Sequence, residues 1–217
     1  MTNINDTRLV IFDMDGLLFD TERSYYETMR RLARKVDVDY TLADYIQTIG
    51  ITTEDTVKML TDAYGEGFAK VLDGFLDEYY QILDEEGLRI KPGAIELLDV
   101  LDQKGMKKCI ASSNDREAIL KFLQMSDLEG RFDFCISGTD VERGKPFPDI
   151  FLQACRLAGV KPEEAIVLED SLNGLRAAVA AEIPCIVVPD LIEPNEEMKQ
   201  MAYRICNDLG EVAELLK

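Results

Sequence analysis

The chain has 217 residues, 47% of them hydrophobic, which is enough to bury the core of one domain with a sizeable insert. Its 42 acidic and 24 basic residues give a formal net charge of −18, which argues against nucleic acid or an anionic membrane as a partner. No apolar run approaches the roughly 18 residues that a membrane-spanning helix needs, so we expect no membrane insertion.

The first predicted strand runs from Leu9 to Asp13 and leads into the motif Asp13-Met14-Asp15-Gly16. Alternate residues of a strand point to the same side, so the carboxylates of Asp13 and Asp15 can face one small volume. Two like charges that close need a cation, and Gly16 lets the chain turn with a positive φ. Open α/β sheets bind ligands at the carboxyl ends of their strands, although a solvated strand-to-turn segment is the alternative interpretation.

Residues 19–87 differ from the rest of the chain because they carry helical periodicity and no convincing strand. Apolar side chains at helical spacing are typical of a bundle core. They are Tyr25, Met29, Leu32, Ala33, Val57, Leu60, Tyr64, Val71, Phe75 and Leu76. We therefore predict an all-helical domain of residues 19–87, inserted after the first strand into a domain of residues 1–18 and 88–217.

Beyond this insert, apolar segments typical of strands alternate with helical patterns. The predicted strands are Lys107 to Ser112, Phe134 to Ser137, Ala165 to Glu169 and Cys185 to Val188. The predicted helices are Ala94 to Lys104, Arg116 to Met125, Pro148 to Ala158 and Leu172 to Ala181. Such alternation predicts βαβ units, and hence an α/β fold with a doubly wound parallel sheet.

The second predicted strand ends in Ser112-Ser113-Asn114-Asp115, directly before a helix. A hydroxyl and exposed backbone N–H groups at such a junction suit an anion. Ser112, Ser113 and Asn114 are therefore candidate phosphate contacts, as is Gly16 of the first motif. An ordinary helix N-cap is the alternative interpretation.

Lys145 lies in a loop between two prolines, in the segment Gly144-Lys145-Pro146-Phe147-Pro148. A positive charge on a stiff loop can stabilise both a phosphoryl oxygen and a nucleophilic carboxylate. A surface lysine in a turn is the alternative, and the peptide bond before Pro146 could be cis or trans.

The fourth predicted strand ends in two adjacent acids, Glu169 and Asp170. Carboxylate oxygens are the ligands that Mg²⁺ prefers, whereas capping of the next helix by Asp170 or Ser171 would explain only one acid. With Asp13 and Asp15, these acids bring a charge of about −4, to which a phosphate monoester adds about −2. Mg²⁺ and a lysine would supply about +3, so we expect a metal to be needed before a phosphate dianion binds.

Histidine is absent from the chain, which excludes triads with an imidazole base and makes a zinc site unexpected. The five cysteines are scattered and contain no CxxC pair. We therefore expect reduced thiols and a cytoplasmic protein.

The order Asp-x-Asp-Gly, Ser, Gly-Lys-Pro, Glu-Asp resembles the haloacid dehalogenase superfamily, in its branch of small phosphatases and β-phosphoglucomutases. The resemblance covers essentially the whole chain. It implies a Rossmann-like core with a helical cap inserted after the first strand. It also implies Mg²⁺ as cofactor and a small phosphorylated metabolite as substrate.

The resemblance also implies roles for individual residues. Asp13 would be the nucleophile and Asp15 the general acid/base, with Ser112 and Lys145 on the phosphate side. The implied magnesium ligands are Asp13, the main-chain carbonyl of Asp15, Glu169 and Asp170, whereas the strand pattern by itself predicts the carbonyl of Met14 as a ligand.

Two further substrate contacts are predicted in the helical domain. Mutases of this branch typically use a cap arginine for the second phosphate of a bisphosphate and a histidine near the cap entrance. In this chain Thr53 stands in the arginine position and Tyr25 in the histidine position. Threonine cannot supply a bidentate cationic fork, which favours hydrolysis over isomerisation.

The sequence therefore predicts a Mg²⁺-dependent phosphatase that acts through an aspartyl-phosphate on a sugar phosphate or a nucleotide-like monophosphate. We expect a cytoplasmic monomer without a nucleic-acid or membrane partner. A β-phosphoglucomutase-type mutase is one alternative. A non-catalytic binding protein on the same fold is the other.

Overall fold

The computed structural model of the protein describes residues 4–49 and 53–217. The chain divides into two compact units, one formed by Met1–Asp20 with Arg89–Lys217 and the other by Thr21–Leu88. The sequence placed these boundaries one or two residues earlier, at 18/19 and 87/88.

The first unit is built on a six-stranded parallel sheet in the order β3-β2-β1-β4-β5-β6. The strands are β1 (Leu9–Phe12), β2 (Lys107–Ser112), β3 (Phe134–Ser137), β4 (Ala165–Glu169), β5 (Cys185–Val187) and β6 (Arg204–Ile205). This sheet confirms the predicted α/β fold and all five predicted strands, whose ends agree to within one residue. The sequence missed β6, because a two-residue edge strand with exposed side chains has no apolar run to reveal it.

The second unit contains helices and connecting turns, with no strand among its described residues. Its helices are α1 (Thr21–Arg34), α2 (Leu42–Ile46), α3 (Thr53–Tyr64), α4 (Glu66–Val71) and α5 (Phe75–Glu86). Helices α1 and α5 are joined by ion pairs from Arg31 to Glu85 and Glu86, at 2.9 and 3.0 Å. Arg31, on the last turn of α1, therefore links α1 to the end of α5 at the surface.

The predicted core of the helical unit is partly wrong. Met29, Leu32 and Leu60 are buried as predicted, but Val57 is 37% and Leu76 64% exposed. A 3-10 turn at Leu72–Gly74 separates α4 from α5 and shifts the helical phase, which turns Leu76 outward. The buried apolar face of α5 is formed instead by Tyr79, Ile82 and Leu83.

The remaining helices surround the sheet of the first unit. They are α6 (Ala94–Gln103), α7 (Arg116–Met125), α8 (Asp149–Ala158), α9 (Leu172–Ala180), α10 (Glu196–Met201) and α11 (Leu209–Leu216). Leu9 and Ile11 of β1 belong to a buried cluster with residues of α8 and α9. Val10 and Phe12 point to the opposite face and are equally buried, so β1 is covered on both sides, as expected for a doubly wound sheet.

Among the described helices, none combines the length and the apolar character needed to cross a bilayer. All five cysteines are free thiols, and four of them are buried.

Candidate active site

The strand order brings the predicted motifs to one edge of the sheet. Strand β1 lies between β2 and β4, with Phe12 paired to Ile110 on one side and to Leu168 on the other. The backbone N–H of Asp13 then donates to the carbonyl of Leu168 at 3.0 Å, so β1 reaches the edge beside β4. Asp13, directly after β1, consequently lies at the same edge as Ser112 and Glu169, the last residues of β2 and β4.

The first motif forms a tight turn directly after β1. The carbonyl of Met14 accepts hydrogen bonds from the N–H groups of Leu18 and Phe19, both at 3.0 Å. Gly16 has φ of +77°, and a Cβ at this position would lie only 2.3 Å from Oδ2 of Asp170. The turn therefore requires glycine for both backbone conformation and space.

Lys145 lies inside the site, with 6% of its side chain exposed, so the alternative of a surface lysine is wrong. Its ammonium group donates to the carboxylate of Asp13, to Oε1 of Glu169 at 2.7 Å and to the carbonyl of Ala111 at 3.0 Å. The peptide bond between Lys145 and Pro146 is cis. Three acceptors thus hold this ammonium group beside the carboxylate of Asp13.

Burial has the largest effect on the ionisation of the site, followed by the opposite charges of Asp13 and Lys145. Burial raises the pKa of Asp13 to about 8; Lys145 opposes this shift, while the carboxylates of Glu169 and Asp15 add to it. Burial would lower the pKa of Lys145, but the two carboxylates it contacts together raise this pKa above its ordinary value. Lys145 is therefore a permanent cation in a pocket with an excess of acids.

Asp13, Glu169 and Asp170 form a cluster that could hold a divalent cation. Each offers a carboxylate oxygen, and these oxygens lie within 4.8 Å of one another. Helix capping does not account for the two adjacent acids, because the hydroxyl of Ser171 caps α9 by accepting from the N–H of Gly174. An all-oxygen donor set of this kind fits Mg²⁺.

Consecutive residues at the end of β2 and just after it form different hydrogen bonds. Ser112 is buried, and its hydroxyl accepts a hydrogen bond from the N–H of Asn114 at 3.1 Å. The N-cap of α7 is Asp115, whose carboxylate accepts from the N–H of Ala118, so the capping alternative applies to Asp115 only. Ser113 is exposed at the same junction.

Asn114 was predicted as a phosphate contact, and the structure shows a different partner for its side chain. The amide Nδ2 donates to Oδ2 of Asp15 at 2.7 Å. The carboxylate of Asp15 is thereby directed toward the segment after β2, and it is not part of the described acid cluster.

Two charged residues near this edge, Lys91 and Asp190, were not predicted from the sequence. Asp190 follows β5, and the ammonium group of Lys91 donates to its Oδ1 at 2.5 Å. The same strand-end rule that identified the other acids could have identified Asp190, had it been applied to β5. Lys91 has no comparable signal in the sequence.

The two candidates in the helical unit remain predictions. The ring of Tyr25 lies 4.6 Å from that of Tyr79 and 5.8 Å from that of Phe75, within an aromatic cluster of this unit. Thr53 is the first residue of α3, and its side chain lies outside the described part of the structure.

Comparison with known proteins supports the resemblance seen in the motifs. A phosphorylated carbohydrates phosphatase of Thermotoga maritima is 34% identical over 181 residues, which cover 80% of this chain and 81% of the relative. A probable pseudouridine-5'-phosphatase of Drosophila melanogaster is 34% identical over 192 residues, covering 83% and 80%. Among solved structures, a candidate β-phosphoglucomutase from Thermotoga maritima has a TM-score of 0.82 and 30% identity, covering 97% of this chain and 98% of its own.

The family model described as haloacid dehalogenase-like hydrolase matches residues 10–188, which include all four motifs. The chain therefore belongs to the haloacid dehalogenase-like hydrolase family.

Proposed function

We propose that the protein is a Mg²⁺-dependent phosphatase that hydrolyses a small phosphorylated metabolite through an aspartyl-phosphate on Asp13. The observation that carries this proposal is the buried carboxylate of Asp13, held by Lys145 and adjacent to Glu169 and Asp170. The names of the two phosphatase relatives support this activity and favour a sugar phosphate or a nucleotide-like monophosphate as substrate.

Asp13, Glu169 and Asp170, with the main-chain carbonyl of Asp15, would hold the Mg²⁺ ion. When bound, the ion supplies positive charge that offsets the repulsion between these acids and the phosphate dianion. The metal-free cluster lacks this charge, because Lys145 faces two carboxylates by itself.

In the first half-reaction, a carboxylate oxygen of Asp13 forms a bond to phosphorus, and the bond from phosphorus to the leaving oxygen breaks. Asp15 donates its proton to the leaving alkoxide, and Lys145 stabilises charge on the transferred group. The products of this half are the dephosphorylated alcohol and an acyl phosphate on Asp13.

In the second half-reaction, Asp15 is ionised and accepts a proton from a water molecule. The water oxygen forms a bond to phosphorus, and the bond from phosphorus to Asp13 breaks. Inorganic phosphate leaves, and the enzyme regains its starting protonation state. Asn114 holds the carboxylate of Asp15 at one position in the site.

A β-phosphoglucomutase-type isomerase is the second candidate function, since one similar structure is described in those terms. Such an enzyme must retain a sugar bisphosphate while the second phosphate changes place. Thr53 stands where a mutase of this branch would carry arginine, so this chain lacks the bidentate cation at that position. This substitution favours hydrolysis.

The proposal is tested by measuring phosphate release from a panel of sugar phosphates and nucleoside monophosphates, with Mg²⁺ and after chelation. We expect phosphate release that stops when Mg²⁺ is chelated and that Asp13→Asn abolishes. The control variant Asp99→Asn, at an exposed position, should release phosphate as the unmodified chain does. Conversion of β-glucose 1-phosphate to the 6-phosphate without phosphate release would identify a mutase instead. A chain that turns over no substrate and gains no thermal stability from Mg²⁺ with a phosphate mimic would contradict the proposal and favour the non-catalytic alternative.

A further inference from the structure

Lys91 and Asp190 form a nearly buried ion pair within the α/β unit. Only 15% of the Lys91 side chain and 6% of the Asp190 side chain are exposed, and Nζ lies 2.5 Å from Oδ1. An ion pair so shielded from water is screened weakly, so its charges act on neighbouring groups more strongly than surface charges do.

Asp190 lies beside the metal ligand Asp170. A Cβ built on Gly16 would lie 2.3 Å from Oδ2 of Asp170 and 3.3 Å from Oδ2 of Asp190, so both oxygens border the same point. The N–H of Val188, two residues earlier, donates to the carbonyl of Glu169 at 2.8 Å and holds this segment against β4. Asp190 is thus a further carboxylate at the edge of the acid cluster.

The backbone near Lys91 is held independently of its side chain. The N–H of Lys91 donates to the carbonyl of Leu18 at 2.9 Å, and the N–H of Asp20 donates to the carbonyl of Arg89 at 2.9 Å. Replacing the Lys91 side chain leaves these main-chain hydrogen bonds available. Its ammonium group is therefore a charge that can be removed while the segment stays in place.

We propose that Lys91 and Asp190 are positioning residues whose opposite charges act beside Asp170, so that each one offsets the effect of the other on the affinity of the site for Mg²⁺. This inference rests on the proposed Mg²⁺ site. Asp190 adds negative charge that attracts the cation and repels a phosphate, and Lys91 offsets it. The opposite charges of Lys91 and Asp190 nearly cancel at the proposed metal ligands. The ion pair also keeps the carboxylate of Asp190 beside the turn at Gly16.

The two members of the pair should shift Mg²⁺ affinity in opposite directions. Lys91→Met leaves the charge of Asp190 without its cation, and we expect Mg²⁺ to bind roughly tenfold more tightly. Asp190→Asn leaves the ammonium group of Lys91 in excess, and we expect Mg²⁺ to bind roughly tenfold more weakly. The double variant restores the net charge, so its affinity should return to within about threefold of the unmodified chain.

The experiment is calorimetric titration of the full chain with Mg²⁺, for the unmodified protein, both single variants and the double variant. The matched control is Lys108→Met, which breaks the ion pair of Lys108 with Asp102 near the start of β2, at the opposite end of that strand from Ser112. This control should lower thermal stability and leave Mg²⁺ affinity unchanged. Lys91→Arg keeps the charge and should retain the unmodified affinity.

Opposite shifts with recovery in the double variant support the inference. The inference is overturned if both single variants weaken Mg²⁺ binding or if both leave it unchanged. An ion pair with a purely structural role would lower Mg²⁺ affinity in both single variants. In that case the proposed phosphatase stands if the unmodified chain still binds Mg²⁺ and releases phosphate. An unmodified chain that binds no Mg²⁺ overturns the metal site and this inference together.

Discussion

The side-chain amide of Asn114 donates a hydrogen bond to the carboxylate of Asp15, with Nδ2 and Oδ2 2.7 Å apart. These residues lie 99 positions apart and are brought together because β2 lies beside β1 in the sheet. The hydrogen bond fixes the orientation of the proposed general acid/base before substrate arrives. Proton transfer depends on that orientation.

Asn114→Ala should lower kcat about tenfold to a hundredfold with little change in KM, because Asp15 loses its orienting donor while substrate contacts remain. Steady-state kinetics on the substrate with the highest kcat/KM measures kcat and KM separately. The matched control is Asp115→Ala, which removes the N-cap of α7 and should cost about 1 kcal/mol of stability with kcat retained. Equal kinetic losses in both variants would show that Asn114 acts through the helix end instead.

Lys145→Met should reduce kcat by about a hundredfold to a thousandfold, because the buried cation beside Asp13 and Glu169 is lost. Lys145→Arg should not restore activity, since the pocket is closed and its three acceptors suit a compact ammonium group. Turnover rates of both variants test this. Activity within twofold of the unmodified enzyme in either variant would contradict the role given to Lys145.

Gly16→Ala should weaken Mg²⁺ binding as well as stability, because the new Cβ would collide with the carboxylate of Asp170. Gly159→Ala is the control: its φ of +67° is also in the left-handed region, but no atom lies within 4 Å of the new Cβ. The control should lose about 1 kcal/mol of stability by backbone strain and keep its Mg²⁺ affinity. Thermal melts and Mg²⁺ titrations of activity separate the two effects, and equal Mg²⁺ affinities in both variants would contradict this explanation.

Mg²⁺ binding near pH 7 should release protons, because burial raises the pKa of Asp13 to about 8 in the metal-free protein. The metal and a proton compete for the same carboxylate of Asp13. Mg²⁺ affinity should consequently fall as the pH is lowered below about 8. Calorimetry in two buffers with different ionisation enthalpies counts the released protons, and identical heats in both buffers would contradict the prediction.

The sequence predicted those parts of the fold that depend on local patterns. The uninterrupted apolar runs of β1 and β4 identify buried parallel strands, and an acid at the end of each run identifies the edge of the site. Leu76 was misplaced because the 3-10 turn that shifts its helix is not visible in the spacing of apolar residues.

The remaining parts of the site depend on contacts between distant segments. Asn114 has the sequence context of a phosphate contact, and only the packing of β2 beside β1 shows that its amide meets Asp15. The pair of Lys91 with Asp190 joins residues 99 positions apart and has no local pattern. Strand-end rules predict which residue types gather at an edge, whereas their partners follow from three-dimensional packing.

The most direct test of the central claim is to locate the phosphoryl group on the protein during turnover. The enzyme is mixed with substrate and Mg²⁺, quenched in acid and treated with borohydride, which reduces an aspartyl phosphate to homoserine, and its peptides are then sequenced by mass spectrometry. The account predicts homoserine in place of Asp13 and at no other aspartate. A covalent adduct at another residue, or full turnover with no adduct at Asp13, would contradict it.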